Sequence, residues 1–472
     1  MTILWTSHEV AQATGGTPSC EWQATGFTID SREIKKGDLF IALKGPIHDG
    51  HDHVQEAFEK GAVAAIVNED FKGQYNVVRV KDTLQALNDL AYASRKRTQA
   101  KIIAVTGSFG KTSTKEALKL VLGHQGKVTA SERSFNNFWG LPLSLCQLPQ
   151  SFDYGVFEIG MNYPNEITPL SKLARPHIAL ITTVEKMHIE NCGSYEGVAD
   201  AKAEIFEGMD PGSKVILKKD NPMFHRLEEK AKSKGLDVVT FGSDPTADAR
   251  LHENFYRDGR LFVRATVGSR ELEYAVPAVG EHWAYNSLAV LTAVWLLGGN
   301  VELAAASLSQ FQLLDGRGAV REFKVDGGSI TVIDDSYNAG PGSMSAGIKT
   351  LGRLNPGPEG RRIAVMGNMA ELGDFAKELH EALVDELVAN HVDKVFTTGN
   401  LMAHLFAKLP ESMQGYQNDD LDDLAKKICS FVRPGDVLLV KGSRGMRAYR
   451  GRMSKIVDAL EALNHEKIKK SA

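Results

Sequence analysis

Short apolar runs alternate with amphipathic segments through the middle of the chain. Between residues 98 and 313 the apolar runs predict buried parallel strands at residues 102–105, 154–159, 177–184, 214–218 and 237–242. The segments between them have helical periodicity, and such alternation is typical of a mostly parallel sheet covered by helices on both faces. Two further runs, 260–267 and 271–276, are joined by Gly268, Ser269 and Arg270 and predict an added antiparallel hairpin.

The same alternation on either side predicts two more α/β units. In residues 1–97, apolar runs at 38–44 and 62–68 predict strands, with a short helix at 54–60 between them. In residues 314–472, strands are predicted at 329–334, 362–367, 394–399 and 436–441, and helices at 376–390, 421–431 and 453–463. We therefore expect three domains: a small α/β domain (1–97), a central domain (98–313) and a Rossmann-like C-terminal domain (314–472).

Length and composition agree with this organisation and exclude several functions. A chain of 472 residues corresponds to about three domains of ~150 residues. A net charge of −4 gives no electrostatic reason to expect a nucleic acid or an anionic membrane as partner. The four cysteines form no C-x-x-C pair, no apolar run approaches the ~18 residues of a membrane span, and the first residues do not resemble a secretory signal. A cytoplasmic protein without membrane insertion is expected.

The turn after the first central strand has the composition of a phosphate-binding loop. The strand is followed by Gly107, Ser108, Phe109, Gly110, Lys111, Thr112 and Ser113, and a helix is predicted from Lys111 onward. Loop N–H groups and a helix N-terminus attract phosphate, the lysine reaches the outer phosphates, and the threonine hydroxyl can hold Mg²⁺. Val105 stands where the full motif has a glycine, so an ordinary strand-to-helix turn is the alternative. The central unit is thus predicted to carry a nucleotide-binding loop of the P-loop type.

Several polar residues follow predicted strands, where ligands collect in open α/β sheets. Glu158 ends a strand and could support Mg²⁺ or cap a helix, and His188 could bind a ligand or be structural. Lys202 lies on an amphipathic helix, where a solvated lysine is the ordinary interpretation, and Asp335 could contact ribose or metal or serve as a helix cap. Ser31 and Arg32 suit phosphate, but taken alone they favour a surface turn. The three histidines of residues 45–53 fit no standard metal spacing, which favours a solvated loop.

Taken together and in order, motifs along nearly the whole chain resemble the Mur ligases, ATP-dependent amide-forming enzymes of peptidoglycan precursor synthesis. These motifs are D-S-R-E-I-K-K-G-D-L-F-I-A-L-K-G (30–45), T-G-S-F-G-K-T-S-T-K (106–115), S-F-N-N-F-W-G-L-P-L (134–143), F-E-I-G-M-N (157–162), H-I-E (188–190), A-D-A-K-A-E-I-F (199–206), G-E-H-W-A-Y-N-S-L-A (280–289), D-D-S-Y-N-A-G-P-G-S-M (334–344), M-G-N-M-A-E-L-G (366–373) and K-G-S-R (441–444).

The resemblance implies ATP and Mg²⁺ as cofactors and assigns roles to single residues. It implies catalytic roles for Lys111, His188 and Lys202, with Lys202 carbamylated so that a cation becomes an anionic metal ligand. The implied metal ligands are Thr112, Glu158, His188 and Lys202. The implied nucleotide contacts are the loop residues 107–113 together with Asn286, Arg317 and Asp335. UDP-MurNAc-tripeptide and D-alanyl-D-alanine are the implied substrates, with the UDP end on the first domain. The candidate substrate contacts are Ser31, Arg32, Asn136, Asn137, Lys441, Ser443 and Arg444.

The resemblance also carries expectations about motion and assembly, and it leaves alternatives open. A monomer is expected, and a reaction spread over three domains predicts an open form that closes on its substrates. Trp283, Gly340 and Asn368 depart from the commoner family pattern. The alternatives are another Mur-type or folylpolyglutamate-type amino-acid ligase, a P-loop kinase or switch GTPase, and a nucleotide-binding module without catalysis.

Overall fold

The computed structural model describes residues 2–443 and 453–468 and has a mixed α/β fold. Within these residues the strands form one two-stranded sheet and sheets of five, nine and six strands. The five-, nine- and six-stranded sheets follow one another along the chain. This arrangement confirms the predicted fold class.

The five-stranded sheet belongs to the N-terminal part of the chain. Its strands and those of the two-stranded sheet are β1 Trp5–Thr6, β2 Thr17–Pro18, β3 Gln23–Ala24, β4 Gly26–Thr28, β5 Asp38–Ile41, β6 Ala64–Asn68 and β7 Val77–Val80. The helices are α1 Ser7–Thr14, α2 Val54–Glu59 and α3 Thr83–Arg97. Strands β4 to β7 are parallel, and β2 pairs antiparallel at one edge.

The nine-stranded sheet forms the middle of the molecule. Its strands are β8 Lys101–Thr106, β9 Val128–Ala130, β10 Tyr154–Glu158, β11 Ile178–Ile181, β12 Lys214–Lys218, β13 Asp237–Gly242, β14 Ala249–Arg257, β15 Arg260–Val267 and β16 Arg270–Val276. The helices are α4 Lys111–Gly123, α5 Gly140–Cys146, α6 Ile167–Ala174, α7 Ile189–Cys192, α8 Tyr195–Ala203, α9 Phe224–Ser233, α10 His282–Leu296 and α11 Val301–Ser307.

The order of this sheet brings three strand ends together. The order is β16-β15-β14-β13-β12-β11-β8-β10-β9, parallel from β9 to β14 and antiparallel beyond. Strand β8 lies between β10 and β11, with Val105 beside Glu158 and Thr106 beside Ile181. The loop after β8 therefore emerges next to Glu158 and next to the segment that carries His188.

The six-stranded sheet forms the C-terminal part. Its strands are β17 Ala319–Val325, β18 Gly328–Asp335, β19 Arg362–Gly367, β20 Lys394–Thr398, β21 Gln414–Gln417 and β22 Val437–Lys441. The helices are α12 Pro341–Arg353, α13 Ala376–Glu381, α14 Leu383–Ala389, α15 Asn400–Lys408, α16 Leu421–Phe431 and α17 Ser454–Ile468. The order is β17-β18-β22-β19-β20-β21, and β22 pairs Lys441 with Asp335 of β18.

The hydrophobic cores couple the first two parts of the molecule more closely than the third. One buried cluster runs from Trp5 and Leu87 in the N-terminal part to Ile102, Leu141 and Phe206 in the middle part. Hydrogen bonds cross the same boundary, from the Trp5 indole to the carbonyl of Cys146 (2.8 Å) and from Ser94 to the carbonyl of Leu145 (2.6 Å). The C-terminal sheet has its own clusters, one on each face.

The structure also differs from the predicted elements in several places. The predicted hairpin is the outer part of a three-stranded extension that begins with β14, and β17, α12 and α15 were not predicted. The helix predicted over residues 376–390 is divided into α13 and α14 at Ala382. Among the described residues, the structure contains no helix long and apolar enough to cross a membrane.

Candidate active site

The loop between β8 and α4 closes tightly around two glycines. Gly107 and Gly110 have φ angles of +144° and +78°, which L-residues with side chains rarely adopt. A Cβ at Gly107 would lie 2.0 Å from Oγ1 of Thr182 on the neighbouring segment, and one at Gly110 would lie 2.9 Å from Nδ2 of Asn286. Only glycine fits at both positions, so the loop amides and the N-terminus of α4 form the edge of a cavity.

Lys111 and Thr112 occupy the first turn of α4. The Lys111 ammonium donates a hydrogen bond back to the carbonyl of Gly107 (2.8 Å), so the side chain lies over the loop. Burial lowers the pKa of Lys111, while the charge of Glu158 opposes this shift. The Thr112 hydroxyl donates to Oε2 of Glu158 (2.6 Å).

Glu158 is a buried carboxylate that is held by two neutral donors. Its side chain accepts from Thr112 and, at Oε1, from Nδ2 of Asn136 (2.7 Å), and the residue is 1% exposed. Within the described part of the chain Glu158 makes no salt bridge. Because an unpaired buried carboxylate is costly, this site favours a bound cation. A hydroxyl and a carboxylate beside a phosphate-binding loop are ligands that suit Mg²⁺, which usually keeps waters and substrate phosphates in its coordination sphere.

Lys202 lies on α8 and is almost completely buried, with 1% exposure. Burial, together with the charge of Lys111, lowers the pKa of Lys202 to about 7. Among residues 2–443 and 453–468 its ammonium has no hydrogen-bond or ion-pair partner. The side chain is therefore not the solvated lysine that its amphipathic helix alone would suggest. The lowered pKa increases the fraction of neutral amine near neutral pH, and the neutral amine is the form that reacts with CO₂.

His188 lies at a point where the central and C-terminal parts meet. It has a left-handed backbone (φ +61°), and its Nδ1 contacts the carboxylate of Glu371. Glu371 follows β19 in the C-terminal part and has the same unusual φ of +61°. Two residues with left-handed backbones, one from the central part and one from the C-terminal part, thus meet at the wall of the cavity.

Asp335 and Lys441 form a buried ion pair on neighbouring strands of the C-terminal sheet. Nζ of Lys441 lies 2.6 Å from Oδ2 of Asp335 and donates to the carbonyl of Asn338 (3.0 Å). Burial raises the pKa of Asp335, and Lys441 acts in the opposite direction. Lys441 therefore holds the carboxylate of Asp335 at the cavity wall.

Arg317 connects the C-terminal part to the segment before α5. Its guanidinium lies 4.0 Å from the ring centre of Tyr337 and donates to the hydroxyl of Ser134 (3.4 Å). The hydroxyls of Ser134 and Tyr337 are 2.9 Å apart. Stacking on an aromatic ring leaves the edge of the guanidinium directed at the cavity, where it can meet an anion.

Except for Gly107 and Lys202, which are not on its wall, these groups line one cavity of about 810 Å³ between the central and C-terminal parts. This size lies within the usual range for small-molecule and cofactor sites. The predicted site residues that line it are Ser108, Phe109, Gly110, Lys111, Thr112, Ser113, Asn136, Glu158, His188, Asn286, Arg317, Asp335, Lys441 and Ser443.

The remaining predicted residues lie elsewhere or have internal partners. Asn137 accepts from the amide of Gly140 (3.0 Å) at the start of α5, which is a helix-capping contact. Ser31 donates to Oε2 of Glu56 (2.9 Å), and Arg32, whose side chain is 81% exposed, forms a bidentate pair with Asp30. Neither residue is on the wall of the cavity. Arg444 lies outside the described residues.

The histidine-rich loop of residues 45–53 is held together by one of its own histidines. His51 contacts Asp49 through Nδ1 (2.6 Å) and accepts from the amide of Asn68 through Nε2 (2.9 Å). His48 and His53 are exposed. The loop therefore uses His51 as a structural connection to β6.

The three departures from the family pattern have structural explanations. Trp283 is buried against Phe311 (ring centres 4.9 Å apart) and does not reach the cavity wall. A Cβ at Gly340 would lie 2.9 Å from the ring of Phe109, so this glycine allows the loop to approach the C-terminal part. Asn368 accepts from the amide of Met402 (3.0 Å) in the first turn of α15.

Sequence reasoning missed a polar group at the far end of the cavity. The Lys218 ammonium lies 3.7 Å from the ring centre of Tyr285, and burial lowers its pKa. Glu185 is close by, and burial raises the pKa of its carboxyl. Lys218 ends β12 at the same edge of the sheet as the loop after β8. A lysine at the carboxyl end of a predicted parallel strand was the signal in the sequence that could have identified it.

Comparison with known proteins gives a consistent result along the whole chain. Residues 23–95 match the description "Mur ligase family, catalytic domain", residues 105–294 "Mur ligase middle domain", and residues 316–444 "Mur ligase, glutamate ligase domain". A UDP-N-acetylmuramoyl-tripeptide–D-alanyl-D-alanine ligase of Rickettsia prowazekii is 32% identical over 459 residues, which cover 97% of this chain and 99% of that protein.

Solved structures agree with the sequence matches. A crystal structure of MurF from Acinetobacter baumannii superposes with a TM-score of 0.83 at 28% identity, covering 97% of this chain and 99% of that one. The MurF ligase of Thermotoga maritima in complex with ADP gives a TM-score of 0.77 at 27% identity, covering 94% and 98%.

Proposed function

Because this chain belongs to the Mur ligase family, we propose that it uses ATP to join D-alanyl-D-alanine to the tripeptide carboxylate of UDP-MurNAc-tripeptide, releasing ADP and phosphate. The observation that carries the proposal is the single cavity of about 810 Å³ in which the phosphate-binding loop faces Asp335 and Arg317 of the C-terminal part. The choice among ligases of this family is supported by a whole-length relative of this specificity.

The chemistry explains why a nucleotide loop and a second domain are needed. A carboxylate does not accept an amine at neutral pH, so its oxygen must first take the γ-phosphoryl group of ATP and become an acyl phosphate. The amine of the dipeptide then attacks the acyl carbon, the C–O bond to phosphate breaks, and the amine proton leaves as the amide forms. Both steps develop negative charge on oxygen, which preorganised donors stabilise.

The loop and α4 would hold the triphosphate during the first step. The amides of residues 107–113 and the ammonium of Lys111 would donate to phosphate oxygens, and Lys111 would exchange its contact with the carbonyl of Gly107 for them. The rest of the nucleotide would be positioned by Asn286, Arg317 and Asp335, which line the same cavity. Asn286 lies next to Gly110 of the loop.

Thr112 and Glu158 would hold Mg²⁺, with His188 as a further ligand. The metal would offset the charge of the phosphates and of the developing acyl phosphate. We propose that Lys202 is carbamylated: its neutral amine attacks CO₂ and loses a proton, which converts a buried cation into an anionic oxygen ligand. The lowered pKa of Lys202, about 7, favours this reaction.

The other domains would bind the ends of the substrates. We propose residues 1–97 as the domain for the UDP end, with Ser31 and Arg32 as contacts, residues 98–313 as the ATP domain, and residues 314–472 as the domain for the incoming dipeptide. Asn136, Asn137, Lys441, Ser443 and Arg444 remain candidate contacts, of which Asn137 has a helix-capping partner and Lys441 an ion pair. We also propose a monomer in the cytoplasm, testable by light scattering and by fractionation of cells.

The test is phosphate release from Mg-ATP with UDP-MurNAc-tripeptide, with and without D-alanyl-D-alanine, and with mass analysis of the product. We expect release only when both substrates are present and a product heavier by the dipeptide minus water. Lys111→Met is the inactive control, because it keeps the length of the side chain without its charge. Release that requires a different amine would replace the proposed specificity, and release independent of both substrates would refute the ligase assignment.

A further inference from the structure

Lys115 is a completely buried lysine on α4, one helical turn beyond Lys111. Its side chain is 0% exposed, and its ammonium donates to the carbonyls of Ser131 (2.5 Å) and Arg133 (2.8 Å). The carboxylate of Glu116 lies 2.7 Å away and supplies the counter-charge. Since burying an ammonium is costly, three acceptors arranged around one lysine indicate a specific task.

The two carbonyls belong to a segment, residues 131–136, that is hydrogen-bonded to Glu158. Ser131 donates its amide to the carbonyl of Val156 (3.1 Å) and accepts from the amide of Glu158 at its hydroxyl (3.2 Å). At the other end of the segment, Asn136 donates to the Glu158 carboxylate (2.7 Å) and accepts from the amide of Gly160 (2.9 Å). The segment thus forms hydrogen bonds with both the backbone amide and the side-chain carboxylate of Glu158.

The segment needs an external support to keep this shape. Arg133, in its middle, has a φ of +48°, a conformation that is costly for a residue with a side chain. The ammonium of Lys115 binds the carbonyls on both sides of Glu132 and fixes the turn at this point. Arg133 uses its own side chain elsewhere, in a salt bridge with Glu33 (2.8 Å).

We propose that Lys115 is a positioning residue: through residues 131–136 it sets the orientation of the Glu158 carboxylate relative to Thr112. Lys111, Thr112 and Lys115 lie on one helix, so the same rigid element holds the phosphate-binding groups and the support of Glu158. The metal role of Glu158 rests on the proposed function, whereas the positioning of Glu158 does not.

The first test measures amide hydrogen exchange in the protein without nucleotide or metal. In Lys115→Met we expect at least tenfold faster exchange at the amides of Glu158 and Gly160, because their acceptors lie on the released segment. Lys119→Met is the matched control, since Lys119 is exposed on the same helix. Unchanged exchange at both amides in Lys115→Met would overturn the proposal.

The second test measures turnover as a function of Mg²⁺ concentration. A misoriented carboxylate should raise the apparent Mg²⁺ constant by about tenfold, as loss of outer contacts does at other metal sites, with a smaller effect on KM for ATP. Asn136→Ala should produce the same change, and the double variant should be no worse than the poorer single variant. Fully additive effects would overturn the proposed route through Asn136.

The tests remain informative if Lys115→Met does not fold. Lys115→Gln keeps an amide donor in a shorter side chain, and we expect partial recovery of both the exchange protection and the Mg²⁺ constant. A Lys115→Gln variant with lowered thermal stability but wild-type exchange at Glu158 would assign Lys115 a purely structural role. Absence of ligase activity in the wild-type chain would refute the proposed function and leave the exchange test valid.

Discussion

The buried pair of Lys441 and Asp335 offers a prediction whose size can be worked out from the structure. The two residues lie side by side on β22 and β18, and their charged atoms are 2.6 Å apart. Their environments differ, because the side chain of Lys441 is 2% exposed and that of Asp335 is 26% exposed. Removal of Asp335 therefore leaves a charge that water hardly reaches, whereas removal of Lys441 leaves a charge that water reaches in part.

This asymmetry predicts the order of two single substitutions. Asp335→Asn leaves a dehydrated ammonium without a counter-charge, with only neutral acceptors such as the carbonyl of Asn338, and should cost about 3–5 kcal/mol, the usual cost of breaking a buried pair. Lys441→Met leaves a carboxylate that water can partly reach, so the cost should be about 2 kcal/mol. The double variant removes both charges and should cost about 1 kcal/mol or less. The coupling energy is then about 4–6 kcal/mol.

The measurement is hydrogen exchange of the amides of β18 and β22, because a protein of three domains does not unfold in a single two-state step. Lys408→Met is the control: it breaks an exposed pair with Glu381 (2.7 Å) in the same domain and should cost less than about 1 kcal/mol. Additive effects of the two substitutions, or a larger cost for Lys441→Met than for Asp335→Asn, would refute this reasoning.

Activity should separate from stability in the same three variants. The double variant regains stability but lacks the carboxylate that we propose to position the nucleotide, so its KM for ATP should stay raised. Lys441→Met keeps the carboxylate without its orienting partner and should have an intermediate KM. A double variant with wild-type KM would show that Asp335 serves only the fold.

Further predictions concern the proposed carbamylation of Lys202, the phosphate-binding loop, the pH dependence of stability and domain closure. Lys202→Ala should abolish turnover, and removal of CO₂ should slow the wild-type enzyme; turnover insensitive to both would exclude a functional carbamate. Gly340→Ala should weaken ATP binding several-fold in calorimetry, because its Cβ would lie 2.9 Å from the ring of Phe109, and unchanged affinity would show that the ring moves away freely. Burial lowers the pKa of His177 from 6.5 to about 4. As the pH falls below about 6.5, His177 is therefore protonated in the unfolded chain but not yet in the folded one. The free energy of unfolding should accordingly decrease between about pH 6.5 and pH 4. Urea denaturation should show a weaker pH dependence in His177→Gln. X-ray scattering should show compaction with an ATP analogue and both substrates, and an unchanged radius would contradict domain closure.

The phosphate-binding loop was predictable because its determinants are local. An apolar run, two glycines and a lysine–threonine pair follow one another, and the structure has β8 and α4 where they were expected. The left-handed angle of Gly110 and the close approach at Gly107 are properties that only glycine permits. Chemistry and conformation are here encoded in the same few residues.

Helix α12 was not predictable from propensity. Its sequence contains Gly342, Gly347 and Gly352, and glycine disfavours a helix by about 1 kcal/mol per residue relative to alanine. A Cβ at Gly347 would lie 3.2 Å from side-chain atoms of Leu439 and Lys441, so the helix packs closely on β22. Tertiary packing, which is invisible in a single sequence, decides the structure of this segment.

The sequence also could not assign a role to polar residues for which two roles are chemically reasonable. Asn136 and Asn137 are adjacent in sequence, yet one holds Glu158 and the other caps α5. The partner of Lys441 is 106 residues away and is set by strand register. Such assignments depend on which side chains meet, and the sequence pattern carries little information about that.

The distribution of apolar and polar contacts argues for which part of the molecule moves. The N-terminal and middle parts share one buried core, so separating them would expose apolar surface. The C-terminal part meets the middle part through polar contacts around the cavity, such as Arg353 with Glu281 (2.9 Å) and Ser134 with Tyr337 (2.9 Å). An exposed ion pair such as Arg353 with Glu281 contributes about 0–1 kcal/mol, and a single hydrogen bond such as that between Ser134 and Tyr337 contributes about 0.5–1.5 kcal/mol. We therefore infer that substrates enter and products leave when the C-terminal part swings away from a rigid body formed by the other two.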